Sequence, residues 1–167
     1  MDLPDWAQNH ILTVDQAVRY LTEEGQQRLW TVVWTNGVFD LIHRAHVEFL
    51  RDAKRLGDIL VVGVNSDEST HRIKGPGRPI NCAMDRAMVL LAIKGVDLVV
   101  LFDDDEPSEP IRRLRPDIVV KGSSSHYDLP NTPEWPVVES YGGRMLEIRV
   151  IDGYSTTAII DRARMLL

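Results

Sequence analysis

Two hydrophobic periods alternate along this chain, and the switches between them mark its elements. Val14, Ala17, Val18, Leu21 and Leu29 recur at helical spacing behind Thr13, a hydroxyl suited to an N-cap, so residues 14–29 are predicted as an amphipathic helix. The β-branched run 31–35 (TVVWT) ends at Asn36–Gly37 and predicts a buried strand meeting a loop. Residues 44–56 return to the helical period, with Val47, Leu50, Ala53 and Lys54 along one side and Gly57 as the stop. Residues 59–64 form a second continuous apolar run. Two buried strands joined by a helix within about 30 residues make a βαβ unit with parallel strands.

The alternation continues through a helix at 85–93, a strand at 97–102, a helix at 107–114, strands at 118–120 and 146–151, and a closing helix at 156–167. Five strands interleaved with helices predict an α/β fold built on one doubly wound, mainly five-stranded parallel sheet. No repeat or linker divides residues 1–167, which read as one domain with residues 1–30 as an N-terminal helical extension packing on it. The loops richest in Gly, Pro and Ser are KGPGRP at 74–79 and GSSSHYDLPNTPEWP at 122–136.

Composition narrows the function. The 167 residues are 44% hydrophobic and 26% charged, which excludes wholesale disorder. Nineteen Lys and Arg against 25 Asp and Glu give a net charge of −6. That balance opposes holding long nucleic acid or an anionic membrane by bulk charge. It does not oppose a local anion site. Residues 102–110 alone hold Asp103, Asp104, Asp105, Glu106 and Glu109 without a basic residue, leaving the rest of the chain at −1, whereas residues 71–88 carry four basic residues against one acid. Contiguous carboxylates splay apart, so the run 103–106 reads as a solvated loop and a poor metal site. Cys82 is the one cysteine and allows neither an intrachain disulfide nor a Cys-rich zinc framework; it and His71 read as structural or solvated. The N-terminal stretch carries acids where a signal peptide has basic residues, and the apolar stretch 88–102 is interrupted by Lys94 and Asp97 and is shorter than the ~20 residues of a membrane span. The expectation is a cytoplasmic protein without a membrane anchor.

The segment 35–50, TNGVFDLIHRAHVEFL, carries the candidate chemistry. It runs from strand through a Gly-containing turn to two histidines three apart at a helix start. Residues at i and i+3 share a helix face, so His43 and His46 can address one spot beside the free N–H groups and positive dipole end of the helix. That is a natural phosphate site; two histidines merely ending a helix, or a metal pair, are the competing readings. Ser155, Thr156 and Thr157 open the last predicted helix, where hydroxyls cap free N–H groups and can also hold phosphate.

TNGVFDLIHRAH resembles the signature of the nucleotidyltransferases named for their His-x-Gly-His motif, and YSTTAII at 154–160 resembles their Ser-Thr-Thr segment. Within that superfamily, LGDILVVGVNSDEST, KGPGRPIN, DRAMVLLAIKGVDLVV, RPDIVVKG, YGG and DGYSTTAII look like the heptose 1-phosphate adenylyltransferases, and the likeness extends over most of the chain from Thr35. The glycerol-3-phosphate cytidylyltransferases share the two signatures but match RPDIVVKG and DGYSTT less well.

The resemblance implies a Rossmann-like nucleotidyltransferase fold and transfer of AMP from ATP, with Mg²⁺, to a sugar 1-phosphate, releasing pyrophosphate. It implies catalytic roles for His43, His46, Lys74 and Arg86, with Lys74 as a mobile-loop cation and Arg86 as a fixed one from a helix. Nucleotide contacts fall to Thr35, Asn36, Gly37, Val38, Phe39, His43, His46, Lys121, Gly122, Ser155, Thr156 and Thr157. Acceptor contacts fall to Asp40, Asn65, Lys74 and Arg86. Asp40 has two further readings, orienting the loop or assisting Mg²⁺, beside capping the following helix. No resident protein metal site and no nucleic-acid or membrane partner is implied. A homodimer or higher homo-oligomer is.

Three departures from the family pattern matter. Ala45 stands at the glycine of His-x-Gly-His, Val38 replaces the usual Cys, and SSSHYDLPNTPEW follows Lys121–Gly122 where a compact Gly-Gly-Asp-Tyr is usual. His126, Tyr127 and Asp128 either rebuild a pocket wall there or sit in a longer surface loop. The alternatives to heptose adenylylation are a cytidylyltransferase acting on a polyol phosphate such as glycerol 3-phosphate, and a nucleotide-binding regulator disabled at Ala45.

Overall fold

The apolar runs pair into one sheet in the computed structural model, which describes residues 3–23, 30–123 and 128–166. The strands are β1 (Ile11–Thr13), β2 (Val32–Gly37), β3 (Ile59–Asn65), β4 (Leu98–Phe102), β5 (Ile118–Ser123) and β6 (Arg144–Arg149). They lie in the order β1-β4-β3-β2-β5-β6, and every neighbouring pair is parallel. Both faces are covered, which is why the strands read as continuous apolar runs. Along β3, Leu60, Val62 and Val64 face one core while Ile59 and Val61 face the other.

Helices α3 (Arg44–Lys54) and α5 (Ala83–Leu91) close the first core with Phe49, Leu50, Ala53, Ala87 and Leu90. Helices α2 (Val14–Glu23), α6 (Ser108–Leu114) and α7 (Trp135–Ser140) close the second with Ala17, Leu21, Ile111, Leu114, Val137 and Val138. Trp34, fully buried on β2, lies over Gly63 so closely that a Cβ there would sit 2.3 Å from its ring. Burying each large side chain stabilises the fold by about 1.5–3 kcal/mol.

Six strands stand where five were expected. The additional one, β1, has three residues, too few for a period to register, and pairs Ile11 with Val99 at the sheet edge. The N-terminal segment therefore contributes a strand to the sheet as well as a helix packed on it. Helix α1 (Asp5–Gln8) and helix α4 (Asp67–Lys74) were also unanticipated. Helix α4 is mostly polar, and its ends explain it: the Ser66 hydroxyl accepts from the Ser69 N–H, Asp67 and Glu68 occupy the first turn, and Lys74 the last. The predicted helix 14–29 is seen as α2 to Glu23, and its remainder lies outside the described residues. Helix α7 begins inside the stretch read as loop, and the closing helix α8 spans Thr156–Arg164. No helix among the described residues is long and apolar enough to cross a membrane.

The chain steps from β2 to β3 to β4 on one side, then returns past β2 to build β5 and β6 on the other. The winding reverses between β2 and β5. In an open parallel sheet the crevice beyond the carboxyl ends of the strands at such a reversal is the usual ligand site.

Candidate active site

A cleft of about 1220 Å³ opens at that reversal. Its floor is the exit of β2: Thr35, Asn36, Gly37, Val38 and Phe39 all line it. The Thr35 hydroxyl donates to the Val120 carbonyl at 3.0 Å, binding the floor to β5. Phe39 holds φ of 50°, the left-handed region that an aromatic residue enters at a cost, and its ring is buried edge-on against His46 with centroids 5.2 Å apart. This turn brings the chain from β2 to the start of α3.

His43 occupies the N-cap position of α3, with extended backbone, and His46 follows one turn later. Their rings stack at 3.7 Å between centroids and 14° between planes, and both line the cleft. The i, i+3 spacing has produced a shared face. Burial, followed by the proximity of His43, pushes His46 down to about 4; burial lowers His43 as well. Both imidazoles are thus neutral near pH 7. Their Nδ1 atoms are buried and accept or donate no hydrogen bond. Ala45, in the first turn between them, is buried and lines the cleft.

Helix α8 points its N-terminus at the same space, with Ser155, Thr156 and Thr157 in the lining. The Ser155 hydroxyl accepts from the Ala158 N–H at 3.0 Å, so the capping role is present. Lys121 and Gly122 enter from β5. A Cβ at Gly122 would lie 2.9 Å from the Phe49 ring, so the strand end comes this close to α3 only as glycine. Lys121 forms an ion pair with Glu134, both side chains nearly buried, and reaches Asn36 Oδ1 at 3.4 Å. Glu134 belongs to the long loop after β5, a stretch with no recognisable motif. Residues 124–127 of that loop, including His126 and Tyr127, lie outside the described residues; Asp128 lines the cleft.

On the opposite side stand Asn65, Lys74, Arg78, Asp105 and Glu106. Lys74, expected on a loop, is the last residue of α4, ahead of Gly75; it has no ion-pair partner among the described residues. Asn65 is buried and donates to the Ser69 hydroxyl at 3.0 Å and to the Asp104 carbonyl at 3.2 Å. The acidic run 103–106 is exposed, as its reading as a solvated loop requires, and it also carries two tethers: Asp103 accepts from Ser66, and Asp105 from Arg72 Nε at 2.7 Å. Asp40 does not cap α3. Its Oδ1 accepts from the N–H groups of Ile80 and Asn81, and its Oδ2 from Arg78, which leaves it orienting the 78–81 segment.

Arg86 corrects the expectation most sharply. Its side chain is fully buried and absent from the cleft lining. The guanidinium donates to the carbonyls of Asn81, Val38 and Asn65 and to Asp67, at 2.6–3.0 Å. It braces the site from beneath. Arg78, noted in the sequence only within KGPGRP and the basic stretch 71–88, is the arginine among the described lining residues.

The described lining holds three cations, Lys74, Arg78 and Lys121, against five carboxylates, Asp40, Asp105, Glu106, Asp128 and Glu134. An anion bound in this cleft would rely on directed donors: the N-termini of α3 and α8, the β2 exit and the imidazoles. Among the described residues no three His, Cys, Asp or Glu gather to hold a metal ion.

Comparison with known proteins gives this arrangement its class. A cytidylyltransferase-like family model matches residues 34–162, and the chain belongs to that family. Within it, the chain is 48% identical over 134 residues to the D-beta-D-heptose 1-phosphate adenylyltransferase of Bordetella bronchiseptica, covering 80% of this chain and 82% of that one. It is also 50% identical over 151 residues to the bifunctional protein HldE of Syntrophotalea carbinolica, covering 88% of this chain but 30% of the relative. The chain thus spans about a third of the bifunctional relatives. Among solved structures, the lipopolysaccharide core biosynthesis protein of Thermoplasma volcanium superposes with a TM-score of 0.61 at 28% identity, covering 75% of this chain and 99% of the other. The pantothenate synthetase of Thermus thermophilus, at 15% identity and a TM-score of 0.57, shares the fold.

Proposed function

We propose that this chain transfers AMP from ATP to D-glycero-D-manno-heptose 1-phosphate, giving ADP-heptose and pyrophosphate. The observation that carries the reading is the convergence of the stacked His43–His46 pair and the N-termini of α3 and α8 on one cleft at the sheet reversal. The 48% identity to the Bordetella enzyme, named for heptose 1-phosphate, supports that class of acceptor. It also disfavours the cytidylyltransferase and regulator alternatives.

The chemistry asks little of covalent groups. A phosphate monoester oxygen attacks the α-phosphorus, the bond from that phosphorus to the bridging oxygen breaks, and pyrophosphate leaves with the electron pair. The nucleophile is already anionic, so no base is required; positioning and charge stabilisation remain. Ser155, Thr156 and Thr157 hold the departing phosphates, and His43 and His46 donate to the oxygens of the reacting phosphorus. As part of the nucleotide substrate, Mg²⁺ would offset phosphate charge. The setting is the cytoplasm, and the working form is a homo-oligomer.

Pyrophosphate release measured for ATP, CTP, GTP and UTP against heptose 1-phosphate, glycerol 3-phosphate and other sugar phosphates tests the proposal. Highest kcat/KM is expected for ATP with heptose 1-phosphate. Preference for CTP and glycerol 3-phosphate would replace it, and nucleotide binding without turnover on any acceptor would make the chain a regulator.

A further inference from the structure

We propose that Arg78 is the fixed cation that takes the acceptor's phosphate group, and that Asp40 is the residue that positions it. The inference rests on the functional reading above in requiring two phosphate-bearing substrates in one cleft.

An in-line displacement fixes where each must lie. With the leaving pyrophosphate at the N-terminus of α8, on the β5–β6 side, and the reacting phosphorus at the histidines over β2, the nucleophile arrives from the β3–β4 side. Two cations line that side, Lys74 and Arg78. Lys74 lies at the end of α4, without an ion-pair partner among the described residues, with positive-φ glycines at 75 and 77 beyond it. Arg78 is held. Its side chain is 22% exposed, and one Nη1 N–H donates to Asp40 at 2.9 Å. A guanidinium carries five N–H donors in a rigid fork, so this pairing leaves a face free for a phosphate.

Asp40 is equipped to hold that fork. It is 5% exposed and ties the Arg78 segment by accepting from the N–H groups of Ile80 and Asn81, at 2.8 and 3.1 Å. Its main-chain oxygen accepts from the Asn81 amide at 3.0 Å. Arg86 cannot take the same part. Four of its N–H groups are spent inside the fold, one of them on Asn81, and it does not reach the cleft. Fixing a fork before substrate arrives reduces the entropy lost on binding, and bidentate contact favours a phosphate over a neutral sugar.

The test separates acceptor from nucleotide. Arg78→Met and Arg78→Lys are compared with the wild type for the KM of the acceptor and for the Kd of the non-hydrolysable α,β-methylene ATP with Mg²⁺. Arg78→Met is expected to raise the acceptor KM about 30-fold, ~2 kcal/mol at 1.4 kcal/mol per tenfold, while the nucleotide Kd moves less than about threefold. Arg78→Lys, which keeps charge without the fork, falls between and remains folded if Met does not. Asp40→Asn raises the acceptor KM in the wild-type background but adds nothing in Arg78→Met, the non-additivity expected of a residue acting through another. An unchanged acceptor KM, equal losses for acceptor and nucleotide, or additive Asp40 and Arg78 effects would each overturn the inference. A second arm titrates inorganic phosphate onto protein saturated with the nucleotide analogue, followed by ³¹P NMR. It reads Arg78 even if the preferred acceptor is not a heptose, so failure of the substrate assignment and failure of the Arg78 assignment are distinguishable.

Discussion

The imidazole of His46 is held neutral by its surroundings, and this has a measurable cost in acid. Burial is the larger cause and the stacked His43 the second, together bringing His46 from 6.5 down to about 4. In the unfolded chain the same ring titrates near 6.5. As pH falls below that value the unfolded state takes up a proton that the folded state refuses, so stability present above 6.5 is lost progressively down to about 4 and then levels off. Linkage with these two values gives a loss of about 2 kcal/mol between pH 7 and pH 5 from this one group. For a chain of this size that is roughly 4–8 °C in Tm.

The perturbation that isolates it is His46→Asn, which removes the titration and keeps a polar side chain. Urea unfolding of wild type and variant at pH 7, 6 and 5 gives two stability curves, and their difference cancels the titrating groups other than His46 and its stacked neighbour His43. The wild-type curve should fall by about 2 kcal/mol more than the variant's over that span. Parallel curves, or an NMR titration of the His46 ring with a midpoint near 6.5, would refute the argument. The same balance enters function. A triphosphate beside the rings favours their charged forms, so nucleotide binding should draw protons at pH 6, seen as a buffer-dependent binding enthalpy. His46→Asn should abolish part of this uptake and lower kcat by about 10²-fold or more, the signature of a lost transition-state contact.

Three further outcomes follow from contacts described above. Arg86→Met strips partners from three carbonyls and Asp67, at about 1–3 kcal/mol per buried group, so urea unfolding should show at least about 3 kcal/mol of destabilisation; normal stability with lost turnover would return Arg86 to the catalytic set. Glu134→Ala leaves Lys121 charged and nearly buried, which costs about 3–5 kcal/mol; the double variant Lys121→Met/Glu134→Leu should recover much of the Tm, and both should weaken ATP binding in calorimetry. Ala45→Gly should lower Tm by a few degrees, since glycine in a helix costs ~0.5–1 kcal/mol against alanine, and change kcat less than about tenfold; a gain of orders of magnitude would mean that Ala45 cripples the native protein.

Most of the fold was legible because both faces of the sheet are covered. Continuous apolar runs such as 59–64 advertise a strand that has no polar face to show. Helix α4 was illegible for the complementary reason: caps and end charges hold it, and apolar periodicity, the signal being read, is weak there. The site divides in the same way. His43 and His46 were readable from i, i+3 geometry, because a short local spacing becomes a shared face without long-range information. The two arginines were not. Arg78 and Arg86 are eight residues apart in one basic stretch, and sequence gives no means of telling which guanidinium the fold will consume. That depends on Val38, Asn65 and Asn81 converging from separate segments, and on Asp40 reaching across from the β2 exit. Glu134 was hidden for the same reason, since its partner Lys121 lies 13 residues away across a loop with no regular period.

The charge of the chain poses the remaining question: how an acidic cleft serves two phosphate-bearing substrates. Bulk attraction is not the answer, because the described lining carries more carboxylates than cations and its imidazoles are neutral when free. Directed donors supply the binding instead, and two of the five lining carboxylates hold lining cations. Asp40 fixes Arg78 and Glu134 fixes Lys121, whereas Asp103 and Asp105 hold Ser66 and Arg72 outside the cleft lining. Asp40 and Glu134 thus each order a lining cation, and a fixed donor loses less entropy on binding than a free one. Salt should therefore weaken nucleotide binding only modestly, because a contact held inside the cleft is screened less than one at the surface. A steep loss of ATP affinity between 50 and 300 mM salt, where surface attraction is the screened quantity, would contradict this account and restore the basic stretch 71–88 as a long-range attractor.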